Sequence, residues 1–260
     1  MVEDIIILVL PFVFGAVVGS FLNVCIYRIP LGLSLVSPPS RCSSCGKHIP
    51  FYFNVPLLGY ILLGGRCHYC KAPFSIRYPM VEALTGLFAA FLFNRYGVTA
   101  ELFVYFALVS SLIVITFIDL DHKIIPDVIS LPGIVVGFGA SFFLDSPGVL
   151  DSGIGIVLGG GILFAIAAAY LLLTGKDGMG GGDIKLLAMI GAFVGWKGVI
   201  VTLLFSSFIG AVSGIAFMAV SGKGRKHAIP FGPFLASGAL IYLFYGDFLI
   251  DWYIMKALGE

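Results

Sequence analysis

The chain has 260 residues, 59% of them hydrophobic and only 11% charged, with a formal net charge of +1. Soluble domains carry about 25% charged residues, so an ordinary water-soluble globule is excluded and an integral membrane protein remains. The near-neutral balance offers no basic footprint, and no nucleic-acid partner is expected.

A membrane-crossing helix needs about 17–25 mainly apolar residues. Apolar stretches of suitable length lie near 5–27, 79–96, 101–119, 127–144 and 153–174, and three more near 184–196, 198–220 and 229–250. The first follows the acidic start Val2-Glu3-Asp4 and precedes no small-x-small cleavage site, so it reads as a retained span rather than a removed signal. The sixth is short and contains glycine, which predicts an irregular or tilted segment buried in protein. The expectation is an all-α polytopic membrane helix bundle of about eight transmembrane helices. It carries a small cytoplasmic zinc-ribbon-like loop module. The corresponding division is 1–27 for the first transmembrane helix, 28–78 for the loop module and 79–260 for a transmembrane core.

Lysine and arginine orient the bundle. With the Arg28–Arg77 loop taken as cytoplasmic, twelve of the 15 basic residues fall on the cytoplasmic side. Only Arg95, Lys197 and Lys256 fall on the other. Both termini then face outward, and Asp119 and Asp183 reach the same cytoplasmic face.

The loop module is rich in Pro, Ser, Gly and Cys and shows no sustained helical period. Its four cysteines form Cys42-x-x-Cys45 and Cys67-x-x-Cys70, with 21 residues between the pairs. Each pair offers two thiolates on one tight turn, and two such turns close a tetrahedron around zinc. Gly46 follows Cys45 as a turn of positive φ requires. Two disulfides or unlinked thiols are the competing readings, and a reducing cytosol argues against the first. A four-thiolate site has no open position for water, so its role is structural. His48 and His68 read as solvated loop histidines, and Cys25 as a small buried apolar residue.

Charge inside the apolar region is confined to a few acids. Asp119 ends the run Ser110–Ile118, and Asp183 ends the tract Gly178-Met179-Gly180-Gly181-Gly182. Ionisable groups at the edge of a bilayer are costly and serve function. Two carboxylates at the membrane ends of separate helices are the minimal apparatus for acid/base hydrolysis of a peptide bond. Each has a plainer alternative: an i,i+4 pair with Lys123 for Asp119, and an N-cap of the sixth span for Asp183. Asp121 is placed on the solvated face, Asp127 reads as a cap of the fourth span, and Asp177 as loop or cap. The glycine tract lacks the Gly-Lys-Ser/Thr ending of a phosphate loop, and Asp183 breaks the Gly-x-Gly-x-x-Gly register. Its bare backbone suits close approach of an extended substrate. His122 and His227 are isolated, and neither Gly-x-Ser-x-Gly nor His-Glu-x-x-His occurs. A transporter using Asp119 and Asp183 as proton or ion relays is the alternative to a peptidase.

The chain resembles the prepilin peptidases (type IV leader peptidases), membrane aspartic peptidases of the Gly-x-Gly-Asp class. The resemblance runs nearly end to end. It rests on Gly19-Ser20-Phe21-Leu22-Asn23-Val24 with Arg28 and Pro30, on the two Cys-x-x-Cys pairs, and on Arg77-Tyr78-Pro79-Met80-Val81-Glu82. It continues through Asp119-Leu120-Asp121-His122, Ile125-Pro126-Asp127 and Gly180-Gly181-Gly182-Asp183-Ile184-Lys185. Taken in this order the set is highly specific. The resemblance implies that Asp119 and Asp183 are the catalytic pair. It also implies substrates that are prepilins or pseudopilins, cleaved after the glycine of a short basic leader at the cytoplasmic face of the bacterial inner membrane. It further implies methylation of the new N-terminus with S-adenosylmethionine, associated with the 28–78 loop. Glu82 matches a family position near the end of that loop, with a salt bridge to a cytosolic arginine as its plainer reading.

Overall fold

A computed structural model describes residues 2–42, 44–221 and 230–258. Lys223, Arg225, Lys226 and His227 lie outside the described residues. Among those described no β-strand forms, and the chain is helical with one irregular stretch after the first helix. The helices are α1 (Val2–Arg28), α2 (Leu58–Leu62), α3 (Arg77–Tyr96), α4 (Ala100–His122), α5 (Asp127–Ala140), α6 (Val149–Thr174), α7 (Gly181–Ser221) and α8 (Gly232–Leu258).

The eight apolar stretches of the sequence fall on α1, α3, α4, α5, α6, α8 and the two limbs of α7. Gly195, at φ 71° and ψ −178°, breaks α7 into limbs 181–194 and 196–221. A side chain at Gly195 would also press on Pro147, with its Cβ at 3.1 Å, so both the backbone angle and the space require glycine. The sixth and seventh spans are therefore continuous through one residue. Among the described residues five helices are long and apolar enough on their own to cross a bilayer: α1, α4, α6, α7 and α8. The helix α3 carries Arg77, Glu82 and Arg95, and α5 has only 14 residues, about 21 Å of helix. The protein is a multi-pass membrane helix bundle.

Two compact units divide the chain, Met1–Val114 and Ile115–Glu260, with α4 running from one into the other. In the first, α1 packs on α3. Gly15 and Gly19, four residues apart, form a small-residue stripe that brings the backbones together: a Cβ on Gly15 would lie 2.6 Å from Thr85 O, and one on Gly19 2.8 Å from Glu82 Cα. Lipid-facing helices associate through this kind of close contact, because apolar side chains gain little by leaving lipid for protein. Asn23 Nδ2 donates to Tyr78 O at 3.1 Å and secures the start of α3.

In the second unit α7 is the hub, packed against α5, α6 and α8. Leu186, Leu187, Met189 and Ile190 of its first limb are fully buried. Gly155 and Gly191 lie against each other's carbonyls across α6 and α7, where any side chain would collide with backbone. At the opposite end of this limb, Trp196 Nε1 donates to Asp151 Oδ1 at 3.1 Å, tying the break in α7 to the start of α6.

Candidate active site and metal centre

The helix α4 does not stop at Asp119, where the apolar run Ser110–Ile118 ends. It continues to His122 and closes on Lys123, whose positive φ of 56° forms a left-handed cap. Pro126 follows and begins α5. Asp119 consequently sits one turn inside the helix, and it is 5% exposed. Its carboxylate accepts a hydrogen bond from the backbone N–H of Gly232, at 2.9 Å to Oδ2. This contact, not a pair with Lys123, satisfies the buried oxygen.

Gly232 is the first residue of α8, so the donor is one of the orphan N–H groups of a helix start, aimed at an anion. The residue was not legible as functional in the sequence. The Gly232-Pro233 pair signals only where a helix begins.

Asp183 lies in the first turn of α7, after Gly181 and Gly182, and is half-buried. It is a helical residue rather than the cap, its own N–H bonding to Gly180 O at 3.2 Å. A carboxylate in this position is favoured by the positive end of the helix dipole. Asp119 and Asp183 belong to the same unit. The glycine tract is partly occupied: a Cβ on Gly182 would meet Ile125 Cβ at 2.9 Å. Among the described residues nothing lies within 4 Å of a Cβ on Gly181, and of one on Gly180 only the Asp183 carboxylate, at 3.8 Å.

Asp127 does not cap α5. It is already helical, in the first turn behind the N-cap Pro126. Both its oxygens instead accept from Lys185 Nζ at 2.8 Å, joining the first turns of α5 and α7 two residues beyond Asp183. Asp121 and Asp177 are exposed. In the first unit Glu82 is buried, and its carboxylate accepts from the Leu57 backbone N–H at 2.8 Å as well as from Ser20. The loop is thereby fastened to α3 by a backbone bond rather than through an arginine.

The four cysteine sulfurs gather within 4.8 Å of one another. None is in a disulfide, and neither histidine belongs to the cluster. Cys42 Sγ and Cys70 Sγ are 3.8 Å apart, which is the edge of a tetrahedron with metal–sulfur bonds of about 2.3 Å. The donor set therefore fits a closed tetrahedral ion.

Two copies of one turn build this cluster. Cys42 N donates to Lys47 O at 3.0 Å, and Cys67 N to Ala72 O at 2.8 Å. Gly46 N donates to Cys42 O at 2.8 Å, and Lys71 N to Cys67 O at 3.0 Å. The residue after each pair has positive φ, 69° at Gly46 and 59° at Lys71. The bridges Arg41 to His48 and Arg66 to Pro73 close both turns at the same offset. The loop thus contains a short structural repeat that sequence inspection did not reveal, since only Arg-Cys-x-x-Cys is shared. The Cys45 backbone N–H, aimed at the Cys42 sulfur, draws the Cys42 thiol down to about 6 against the opposing effect of burial, and Ser44 N–H adds to it. A thiolate poised for metal is the result.

The model of the bacterial peptidase A24 N-terminal domain matches residues 13–96, and that of the type IV leader peptidase family matches residues 106–215. The second stretch contains both Asp119 and Asp183. Among curated proteins, the prepilin leader peptidase/N-methyltransferase of Pseudomonas putida is 38% identical over 257 residues, covering 90% of this chain and 89% of the relative. Those of Legionella pneumophila and Aeromonas hydrophila are each 37% identical, covering 93% and 96% of this chain and 92% and 94% of theirs. No solved structure matches. A Gly-x-Gly-Asp tract leading into a buried helix, a second acid held by a helix N-terminus and a paired-cysteine module thus coincide with similarity along nearly the whole chain, which belongs to the type IV leader peptidase family.

Proposed function

We propose that this protein is a bifunctional membrane enzyme. It removes the short basic leader from prepilins or pseudopilins with the Asp119–Asp183 pair, and it methylates the new N-terminus with S-adenosylmethionine. What supports the reading is that both acids, from distant stretches, belong to one compact unit and to the segment matched by the type IV leader peptidase model. Two nearby carboxylates hold one proton between them more cheaply than two charges. The ionised partner takes a proton from water, which attacks the scissile carbonyl; the protonated partner polarises that carbonyl and then hands its proton to the departing amine. The bond from Gly232 N–H holds the Asp119 carboxylate in one orientation. The open flank of Gly180 and Gly181 gives an extended leader room to lie beside Asp183. This chemistry is separate from that of a relay in a transporter, which would leave its cargo chemically unchanged.

The cysteine cluster holds zinc in a structural role in this reading. Cys42, Cys45, Cys67 and Cys70 close the coordination shell, and the ion contributes folding energy to a loop with little core of its own. The enzyme lies in the bacterial inner membrane with both acids and the cysteine module toward the cytoplasm, as the distribution of basic residues supports. Incubating detergent-solubilised protein with a prepilin and weighing the products tests the reading: a precursor shortened to the residue after its leader glycine is expected. An intact precursor would overturn it.

A further inference from the structure

The start of the short helix α2 is fastened well inside the end of α1. Leu57 centres a γ-turn, at φ 61° and ψ −51°, closed by Leu58 N–H donating to Pro56 O at 2.6 Å. Such a turn is rare and strained, and it persists here with the Leu57 N–H donating to Glu82 Oε2 at 2.8 Å. The Glu82 carboxylate also accepts from Ser20 of α1, and a Cβ on Gly19 would stand 2.8 Å from Glu82 Cα. Ser20 lies about 12 Å of helix before Arg28, where α1 ends. The apolar span of α1, Ile7–Arg28, has 22 residues. Its length of about 33 Å compares with about 30 Å for the hydrocarbon core of a bilayer. A contact level with Ser20 is therefore at the depth of lipid rather than of bulk water.

The segment around that contact is suited to lipid. In α2, Leu58, Ile61 and Leu62 share one face by their i, i+3, i+4 spacing, and they are 57%, 69% and 75% exposed. The other side is taken by Gly59, buried against Phe53 O with no room for a side chain. The N–H groups of Gly59, Ile61, Leu63, Gly64 and Gly65 all bond to backbone carbonyls between residues 55 and 61, so this stretch asks little of water. Along the same loop the charge is of one sign. Residues 28–78 contain no aspartate or glutamate, while Arg41, Lys47, Arg66 and Lys71, two at each cysteine turn, are exposed. We propose that α2 lies in the membrane interface, with Leu58, Ile61 and Leu62 among the acyl chains and the basic residues of the cysteine turns on anionic phospholipid headgroups. An apolar helix face joined to clustered Lys and Arg is the combination that holds interfacial helices on acidic lipid. A basic peptide would be repelled from the same surface. The two cysteine turns are thereby kept at the bilayer surface.

The test uses the full-length protein, with photoreactive p-benzoylphenylalanine in place of Leu62, in nanodiscs of phosphatidylcholine mixed with a minor share of phosphatidylglycerol. Irradiation is expected to give lipid adducts by mass, with phosphatidylglycerol at least about threefold above its share of the disc. Combining Arg41→Gln, Lys47→Gln, Arg66→Gln and Lys71→Gln should bring the adducts back to that share, with thermal stability reporting that the variant is folded. Raising the salt around the protein with all four basic residues in place should do the same without altering the fold. Adducts to protein alone, whether to another segment or to a second copy of this chain, overturn the proposal. So do lipid adducts at the bulk share when the four basic residues are present, or an enrichment that neither glutamine nor salt diminishes.

Discussion

The backbone N–H of Gly232 points at the carboxylate of Asp119 from 2.9 Å, and the same glycine has no room for a side chain, since a Cβ there would stand 2.6 Å from Oδ2. The residues are 113 positions apart. One helix end therefore both solvates and positions an acid that the membrane would otherwise disfavour. Gly232→Ala is expected to turn the carboxylate away while leaving insertion intact. Loss of a buried hydrogen bond to a charged group costs roughly 1.5–3 kcal/mol, so kcat for leader cleavage should fall about tenfold to a hundredfold. Steady-state kinetics on a purified prepilin check this.

Replacing either acid should have a larger effect. Asp119→Asn and Asp183→Asn keep size and polarity but cannot exchange a proton, and general acid–base steps contribute about 10²–10⁴ each. Cleavage should drop by at least about 10³ in each variant. The double variant should be little worse, because paired catalytic groups act as a unit. Residual activity near the unaltered rate in either single variant would exclude the pair.

The pair between Lys185 and Asp127 is partly exposed, with side chains 39% and 55% accessible, and exposed pairs contribute about 0–1 kcal/mol. Lys185→Ala and Asp127→Ala should each slow cleavage less than about tenfold. Their combination should equal either alone, since the two share one contact. Exchanging the residues, with Lys at 127 and Asp at 185, should recover part of the loss. Rates for the four proteins give the cycle.

Metal removal should act on the first unit. Stripping zinc with a chelator, or introducing Cys45→Ser, is expected to abolish methylation and expose the loop to protease, while cleavage by the second unit persists in part. The pH dependence has a defined sign. The folded turn lowers the Cys42 thiol to about 6 from its ordinary value near 9, so its contribution is complete above the unfolded value and is lost as pH falls through about 6. Zinc content measured across that range should decline on acidification.

The contact of α6 with α7 offers a stability test away from the acids. Gly191→Val would drive a branched side chain into the Gly155 carbonyl. Backbone on both sides leaves nothing to yield, so thermal stability in detergent should fall by several degrees and yield should drop. Gly139→Ala, facing open space, should do neither.

Long apolar runs punctuated by glycine, proline and charge were enough to locate the helices, because a bilayer demands internally bonded segments of a set length and tolerates few charges within them. The cysteine spacing likewise pointed to a single four-sulfur cluster, since two thiols on a tight turn have little else to do together. Asp119 and Asp183 stood out for the same reason: charge at the edge of lipid is rare. Only the tertiary structure decided which groups answer those charges. Gly232 became the donor to Asp119, Lys185 the partner of Asp127, and Leu57 N–H the partner of Glu82. Gly195 joined two spans into one broken helix, and the two cysteine turns proved to be copies of each other. Local periodicity reports how a segment meets its solvent; it carries no information about which distant backbone will come within hydrogen-bonding distance, because that depends on how the helices pack.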